Sequence, residues 1–360
     1  MLDTTWHYAV VVGIDKYPRI APPVDDLRCP VEDARAMAEW LTSPQGGNLD
    51  PSRVKVLTRI LPTVRNPPVP VLDEITSAIL DSAEEFVDRR KQTLPNEAAR
   101  KAAWQKSRFY FYVSGHGMDG AGDDAVLITA NATRSSMNHI SSRNVLNRFK
   151  EDKVFGELVV LADCCRELAG VAVQDLPWDL RNYAGYNDRF LPRVFIAHAS
   201  RNRKKAFEPK PPNPNSVFTQ ALLEGLKGGV RGSEVHSKNL TDFLYNYLPK
   251  LTKDFELPDQ DPDIKADPGI VFLNASKEYR VTLTAKAGSA FAGLPSVDAV
   301  VIEQAAVKSR VILLATAPGV FAGTLETGYY AIVPPGGDPM AGSPVHPLSV
   351  FGKDTDETIG

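Results

Sequence analysis

The chain has 360 residues, a hydrophobic fraction of 43% and a formal net charge of −3 from 41 basic and 44 acidic residues. This length predicts two domains, with enough apolar residues for real cores. The balanced charge argues against a general nucleic-acid or anionic-membrane binder, because such proteins need a clustered basic surface. No apolar run approaches the roughly 18 residues of a transmembrane helix, and the N-terminus lacks the features of a signal peptide.

Residues 1–275 alternate short β-rich apolar runs with segments of helical periodicity. The apolar runs lie at 8–14, 53–58, 109–113, 158–162, 194–197 and 270–273. The helix-like segments lie at 31–42, 71–90, 142–150, 216–227 and 239–252. Apolar strands that alternate with helices indicate a mostly parallel sheet with helices on both faces. We therefore predict an α/β domain over residues 1–275.

The pattern of apolar and turn-forming residues changes after residue 275. Strand-like runs follow one another with Gly, Pro and Ser between them, and no helical pattern interrupts them; these runs lie at 279–286, 299–304, 310–315 and 329–333. Such a pattern predicts a small all-β domain over 276–360, which we expect to be a β-sandwich. The acidic tail at 354–357 is expected to be frayed.

The three cysteines, two of which are adjacent, cannot build a disulfide framework. We therefore expect a protein of the reducing cytoplasm, in which each thiol needs its own explanation. Cys29 and Cys164 are interpreted as small buried hydrophobic residues. Cys165 has a different context, which the strand ends reveal.

A histidine and a cysteine follow two consecutive strands of the predicted sheet. The third apolar run leads into Ser114-Gly115-His116-Gly117, and the fourth leads into Asp163-Cys164-Cys165. Ligands of such sheets bind beyond the carboxyl ends of the strands, so we expect both side chains at one edge. A thiol is a poor nucleophile until it is deprotonated, and a nearby imidazole supplies the base. This pattern predicts a catalytic Cys165–His116 dyad.

At these motifs the sequence resembles the caspase-fold cysteine peptidases, in the broad group of bacterial caspase-like proteins and metacaspases. A strand followed by SGHG and a later strand followed by D-x-C form the catalytic signature of that group. His116 and Cys165 are 49 residues apart, close to the roughly 50 of caspases. Further matches lie at 12–17, 27–34 and 217–226, so the resemblance covers about residues 1–274. The fold expected is therefore a caspase-like, mostly parallel sheet followed by a small all-β domain.

The resemblance implies a cysteine endopeptidase that needs no cofactor for its chemistry. By position, Cys165 is the nucleophile and His116 is the general base and acid. The backbone amides of Gly117 and Cys165 would form the oxyanion hole, which stabilises the charge that develops in the transition state.

The resemblance also implies a specificity pocket with acidic residues. Asp163 lies two residues before the nucleophile, where metacaspases have the pocket aspartate, and Asp33 would be its partner. Ser200 is expected to line the pocket through its backbone. Two carboxylates attract Arg or Lys, so we expect protein substrates cleaved after Arg or Lys (the P1 residue). Caspases that cleave after Asp have Gln at the position of Asp163.

One departure concerns calcium. Arg166-Glu167-Leu168 follows the nucleophile, where metacaspases usually have His-Ser-Gly, so calcium activation is not inherited by resemblance. The segments 119–124 and 259–263 contain carboxylates that a calcium ion could use, but neither has EF-hand spacing. Calcium activation is therefore possible but unsupported, and we assign no metal ligand.

Simpler interpretations compete at several positions. Asp33 lies in the first turn of a helix, where any carboxylate favours the helix dipole. His198, at another strand end, is more simply a core or rim histidine than a second base. The basic run 201–205 is most simply a solvated loop. A protease with basic specificity could also cleave itself there, although 168–192 is the better candidate for maturation.

Two alternative functions remain open. The first is a caspase-fold scaffold without catalysis, against which the intact Cys165 and His116 argue. The second is a protease gated by a ligand or partner that binds the domain at 276–360. By resemblance alone, a regulated protease of a bacterial stress, cell-death or defence pathway is expected.

Overall fold

A computed structural model describes most of the chain, namely residues 2–20, 26–58, 68–120, 124–166, 191–230, 234–274, 278–303, 306–326, 328–350 and 355–359. Contacts divide the molecule into two compact units. The first contains Leu2–Leu223 and Thr241–Ile270, and the second contains Glu224–Leu240 and Val271–Gly360. The chain thus passes between the units more than once, whereas the composition of the sequence marks a single change near residue 275.

The described helices are α1 (Pro30–Thr42), α2 (Leu72–Thr93), α3 (Glu97–Gln105), α4 (Ser142–Asp152), α5 (Val217–Glu224) and α6 (Ser237–Asp254), with a 3-10 turn at Pro51–Arg53 and a π-helical turn at Gly225–Gly229. The strands up to residue 274 are β1 (His7–Gly13), β2 (Val54–Leu57), β3 (Arg108–Ser114), β4 (Gly117–Gly120), β5 (Asp124–Ile128), β6 (His139–Ser141), β7 (Glu157–Asp163), β8 (Arg193–His198), β9 (Glu234–His236), β10 (Asp263–Ala266) and β11 (Val271–Asn274). The remaining strands are β12 (Glu278–Ala285), β13 (Ser296–Glu303), β14 (Ala306–Ala317), β15 (Val320–Glu326), β16 (Gly328–Val333), β17 (His346–Val350) and β18 (Thr355–Ile359). Sequence periodicity predicted five of these helices and missed α3.

The first unit is built on a six-stranded sheet with the order β10-β8-β7-β3-β1-β2. Five strands are parallel, and β10 pairs antiparallel with β8 at one edge. β1, β3 and β7 are buried along their whole length, which explains why their sequences are uninterrupted apolar runs. The caspase-like, mostly parallel sheet predicted from the sequence is confirmed.

Helices cover both faces of this sheet because alternate residues of each strand point to opposite sides. On one side, Val10 and Val12 of β1 join a core with Ile79 and Phe86 of α2. Ala9 and Val11 point the other way and are equally buried, and α1 contacts β1. The sheet therefore holds its strand ends rigidly.

The structure also contains two small antiparallel sheets that the sequence analysis did not predict. β4, β5 and β6 form a three-stranded sheet, and β11 pairs with β9. The run 270–273, which the sequence analysis counted among the runs that indicate the parallel sheet, is instead the strand β11 of this two-stranded pair. A short apolar run shows that a strand is buried but not which strand it pairs with, which is the reason for this correction.

The second unit contains a seven-stranded sheet with the order β17-β16-β13-β14-β15-β12-β18. The all-β prediction is confirmed, but these strands form one curved sheet rather than the two of a sandwich. His346 Nε2 of β17 lies 2.9 Å from Glu357 Oε1 of β18, so the two edge strands approach each other in a near-barrel. The sheet encloses its own core of buried side chains, including Leu283, Leu313 and Phe321.

The tail is not frayed at 355–357, contrary to the sequence prediction. Thr355–Ile359 pairs in parallel with β12, and Ile359 is fully buried. The segment is short, and Glu357 shares a face with the buried Ile359, so its sequence shows no clear alternation of polar and apolar residues. No helix of the described residues is long and apolar enough to cross a membrane.

Candidate active site

The two predicted catalytic residues follow neighbouring strand ends. Ser114 of β3 and Asp163 of β7 are paired in register, and His116 and Cys165 each lie two residues further on. The N–H of Gly115 donates to the carbonyl of Asp163 at 3.2 Å, which joins the two turns. The parallel register therefore delivers both side chains to the same edge of the sheet.

Gly115 is required at this turn for two reasons. Its φ of 155° lies in the region that favours glycine, and a Cβ there would lie 2.5 Å from Tyr17 Oη. The backbone N–H of His116 donates to the same Tyr17 oxygen at 2.8 Å, and the two rings are 4.9 Å apart between centroids. Burial raises the pKa of Tyr17 well above its usual value, so the phenol stays neutral. Tyr17 thus orients His116, a role that the sequence analysis missed.

Cys165 is half-buried beside the backbone of Ala206. Its Sγ accepts from the Ala206 N–H at 3.4 Å and lies 3.5 Å from the Ala206 carbonyl oxygen. Gly117 lies close to the same turn, since a Cβ added to it would meet Cys164 Sγ at 2.6 Å and the Cys165 carbonyl at 2.7 Å. The structure therefore brings together the residues predicted for the nucleophile and the oxyanion hole.

The other two thiols are buried. Cys164 lies beneath the turn, where burial and the neighbouring Cys165 raise the pKa of its thiol well above the usual value. Burial also raises the pKa of Cys29, which precedes α1. A neutral, buried thiol is a poor nucleophile, so these two residues act as packing groups.

Asp33 and Asp163 form a buried pair of carboxyl groups. Ser216 joins them, because its N–H donates to Asp33 Oδ1 at 2.9 Å and its hydroxyl donates to Asp163 Oδ2. Asp33 also accepts from Ser114 Oγ at 3.0 Å, and Asp163 accepts from the hydroxyl of Thr219 at 2.6 Å. Every described donor to the pair is a neutral group.

Burial raises the pKa of both carboxyl groups. For Asp163 the pKa rises to about 6, mainly by desolvation. For Asp33 it rises further, by desolvation and then by the charge of Asp163. Both carboxyl groups therefore favour the protonated form more than an exposed Asp does, and Asp33 keeps its proton to higher pH than Asp163.

Glu208 is a third carboxylate of the same cleft, and the sequence analysis missed it. It accepts from the backbone N–H groups of Arg28 at 2.9 Å and Cys29 at 2.8 Å, at the start of α1. Its side chain remains 22% exposed, and Arg28 Nε lies 3.7 Å from Glu208 Oε2, so Arg28 offsets part of its charge. It lies between a basic run and a proline-rich loop, and no sequence signal marked it. The cleft is lined by Leu27, Pro30, Asp33, Ser114, Gly115, His116, Asp163, Cys164, Cys165, Ala206, Phe207, Glu208 and Ser216.

Ser200, predicted to line the pocket, lies outside this lining. It is fully buried, and its hydroxyl donates to the Lys204 carbonyl at 3.0 Å. His198 is also buried, with Nε2 at 3.3 Å from Ser142 Oγ. Burial and then Arg166 lower the pKa of His198 to about 3, so it is a neutral core histidine.

Arg166, directly after the proposed nucleophile, is fully buried between the two acidic segments considered for calcium. Its Nη1 pairs with Asp263 Oδ2 at 2.6 Å, and its Nη2 lies 3.7 Å from Asp119 Oδ1. Its Nε donates to the carbonyl of Asp124 at 3.1 Å. The described residues contain no cluster of three or more His, Cys, Asp or Glu side chains that could hold a metal. Arg166 thus lies between Asp119 and Asp263, and calcium activation stays a prediction.

The segment 168–192, expected to be the site of self-cleavage, lies almost wholly outside the described residues. The alternative segment 201–205 is described and fully exposed.

Known proteins resemble this chain over the region that contains the cleft. The caspase-domain profile matches residues 7–246. A curated relative described as a "probable protease", from a Desulfuromonadales bacterium, is 28% identical over 239 residues, which cover 62% of this chain and 26% of the relative. The chain thus spans about a quarter of that relative's length. The crystal structure of caspase-1 from Spodoptera frugiperda matches with a TM-score of 0.45 and 13% identity, over 74% of this chain and 90% of that one. Since the profile covers most of the chain and includes both strand ends of the cleft, this chain belongs to the caspase-domain family of cysteine peptidases.

Proposed function

We propose that this protein is a cysteine endopeptidase that cleaves protein substrates after Arg or Lys. The observation that carries the proposal is a single cleft lined by His116, Cys165 and three carboxyl groups. A thiol and an imidazole in one cleft support nucleophilic catalysis, and the carboxyl groups support a pocket for a cation.

The reaction needs only groups of this chain. His116 takes the proton of the Cys165 thiol, and the thiolate attacks the carbonyl carbon of the P1 residue. The N–H groups of Gly117 and Cys165 stabilise the oxyanion. His116 then protonates the leaving amine, which departs and leaves a thioester. Water, deprotonated by His116, hydrolyses the thioester and restores the thiol.

The three carboxyl groups favour a basic P1 side chain over a neutral or acidic one. Asp163 supplies negative charge, Glu208 adds charge that Arg28 partly offsets, and Asp33 keeps its proton to higher pH than Asp163. Neutral donors satisfy Asp33 and Asp163 in the absence of substrate, so no cation of the described chain competes for the pair. A guanidinium or ammonium group that enters the cleft gains this attraction, and an acidic P1 residue is repelled.

The test is a peptide library that varies only P1, assayed with the full chain, with and without added calcium. We expect turnover after Arg and Lys, equal in calcium and in EGTA, and complete loss in Cys165→Ala. Preferred cleavage after Asp would contradict the acidic pocket. Absence of turnover with every P1 residue, under all conditions, would favour the scaffold alternative.

As a further part of the proposal, we place this protease in the cytoplasm, in a regulated bacterial stress, cell-death or defence pathway. The β-sheet of the second unit would then dock a regulatory partner or ligand. Support for this part comes from the family resemblance, and hydrogen exchange of 278–359 with candidate partners would test it.

A further inference from the structure

A basic turn lies beside the candidate nucleophile. Residues 201–205 carry four basic side chains in five positions, and all five residues are exposed. The N–H of Lys204 donates to the carbonyl of Arg201 at 3.1 Å, and Arg203 has a left-handed φ of 63°. The segment is therefore a closed turn with a defined backbone.

The basic turn is attached to the candidate active site. The Lys204 carbonyl accepts the N–H of Arg166 at 2.9 Å and the hydroxyl of Ser200 at 3.0 Å. The next residue after the turn is Ala206, whose backbone contacts the Cys165 thiol. These contacts place the backbone of the basic turn next to the segment that carries the Cys165 thiol.

Two of these four basic side chains are available to a ligand. Arg201 pairs weakly with Asp261, at 4.0 Å between two half-exposed side chains. Among the described residues, neither Arg203 nor Lys204 has a carboxylate partner. A solvated basic loop anywhere on the surface would need no such attachment to the nucleophile.

The cleft therefore has opposite charges along one short segment. Residues 206–208 line the cleft and run from the basic turn to Glu208, which lies with Asp163 at the acidic part. An extended peptide advances about 3.3 Å per residue, so one substrate segment can reach both parts.

We propose that the basic turn is a substrate subsite for Asp or Glu residues within about three residues of the scissile bond. The preferred substrate is then a basic P1 residue with acidic neighbours, rather than a run of basic residues. This inference rests on the proposed function and adds a second determinant to the same cleft.

The experiment compares quenched fluorescent peptides that share Arg at P1 and differ by Glu or Gln at each position from P3 to P3′. An exposed ion pair changes an equilibrium constant by a factor of about 1.5 to 5, so we expect about fivefold higher kcat/KM for the best Glu peptide over its Gln counterpart. That ratio should decrease at high salt, since screening weakens exposed charges.

The matched variants are Arg203→Glu/Lys204→Glu and, as a control, Lys250→Glu/Lys253→Glu. The control makes the same charge change at exposed positions of α6, outside the lining of the cleft. We expect the Glu-to-Gln ratio to fall to one or below in the first variant and to persist in the control. Equal rates for both peptides in the unmodified protein, or an unchanged ratio after charge reversal, would overturn the inference.

A binding measurement separates this inference from the proposed protease function. Fluorescence anisotropy with Cys165→Ala protein measures the Kd of the same labelled Glu and Gln peptides without turnover. Tighter binding of the Glu peptides, lost in Arg203→Glu/Lys204→Glu, supports the subsite even where P1 cleavage fails. Equal Kd values reject the subsite even where Arg peptides are cleaved.

Discussion

Two acidic regions of the first unit differ in the groups that face their carboxylates. Beside the proposed nucleophile Cys165, the guanidinium of the fully buried Arg166 pairs with Asp263 and lies near Asp119. In the cleft, the described donors to Asp33 and Asp163 are all neutral, and burial raises the pKa of both carboxyl groups. The first region therefore contains its own cation, whereas we expect the second to gain from a cation that arrives with the substrate. On this interpretation, the built-in cation marks the first region as structural, and its absence marks the second as a candidate recognition site.

The largest expected effect comes from removing Arg166. Arg166→Met leaves Asp119 and Asp263, which are partly exposed, without their cation. We expect the free energy of unfolding to fall by about 3 kcal/mol, the lower end of the range for breaking a buried pair, because the side chain of Asp263 is 26% exposed. Urea unfolding measures the loss. Arg201→Met is the matched control, because its exposed pair with Asp261 is worth less than about 1 kcal/mol. Similar midpoints for the two variants would refute the structural role of Arg166.

The same region makes a prediction about calcium. While Arg166 occupies the space between the carboxylates, neither calcium nor EGTA should shift the unfolding midpoint of the protein by more than the experimental error. A calcium-dependent rise in that midpoint would show that carboxylates outside this ion-paired group bind the metal.

The next largest effect is expected from removing the charge of Asp163 in the candidate recognition site. Asp163→Asn keeps a side-chain oxygen for Ser216 and Thr219 but removes the charge. We expect kcat/KM for P1-Arg peptides to fall about 100-fold, because the lost interaction between the P1 guanidinium and the carboxylate is worth about 3 kcal/mol. Glu32→Gln, an exposed neighbour on α1, is the control. A variant that cleaves Arg peptides as fast as the unmodified protein would contradict the acidic pocket.

A smaller effect follows from the raised pKa of Asp163. Because that pKa is about 6, the carboxylate is ionised above this pH and neutral well below it. We expect agmatine, a simple guanidinium ligand, to bind Cys165→Ala protein more tightly as pH rises through about 6. Because binding is measured instead of a rate, protonation changes that affect only the catalytic step do not contribute to the result. An affinity that is constant from pH 5 to about 8 would exclude this carboxylate as the ligand group.

The raised pKa of Asp163 also makes the free energy of unfolding depend on pH, with a sign opposite to that of a carboxylate in a surface ion pair. A carboxyl group whose pKa is raised on folding is most favourable when protonated, so its contribution is present below its unfolded pKa near 4 and is lost as pH rises through about 6. Asp163→Asn should remove this decline. Urea midpoints of both proteins from pH 4 to about 7 measure it.

The smallest effect concerns the orientation of His116. Tyr17→Phe deletes the oxygen that accepts the His116 N–H at 2.8 Å and leaves the ring in place. Loss of one hydrogen bond of about 1 kcal/mol predicts a decrease of about fivefold in kcat with little change in KM. Tyr245→Phe, on the exposed part of α6, is the control. A change confined to KM would indicate a role in binding instead.

The sequence alone determined the frame of this protein. Buried parallel strands have uninterrupted apolar sequences, so β1, β3, β7 and β8 were predictable, and His116 and Cys165 could be placed at one edge of the sheet. The role of Asp163 followed only from the family resemblance, by its position two residues before Cys165. The strand and edge predictions depend on short-range patterns, which a single sequence contains in full.

Only the tertiary structure decided which distant groups complete the cleft. Glu208 reaches the start of α1 across 180 residues, and Ser216 joins Asp33 to Asp163. Likewise, no pattern in the sequence shows that Arg166 fills the space between Asp119 and Asp263. Contacts between loops depend on how the strands order and register in the sheet, and that information is distributed over the whole chain. The sequence thus predicted the positions of His116 and Cys165, and the packing of loops around them decided which carboxylates lie beside a cation of the chain and which have only neutral described donors.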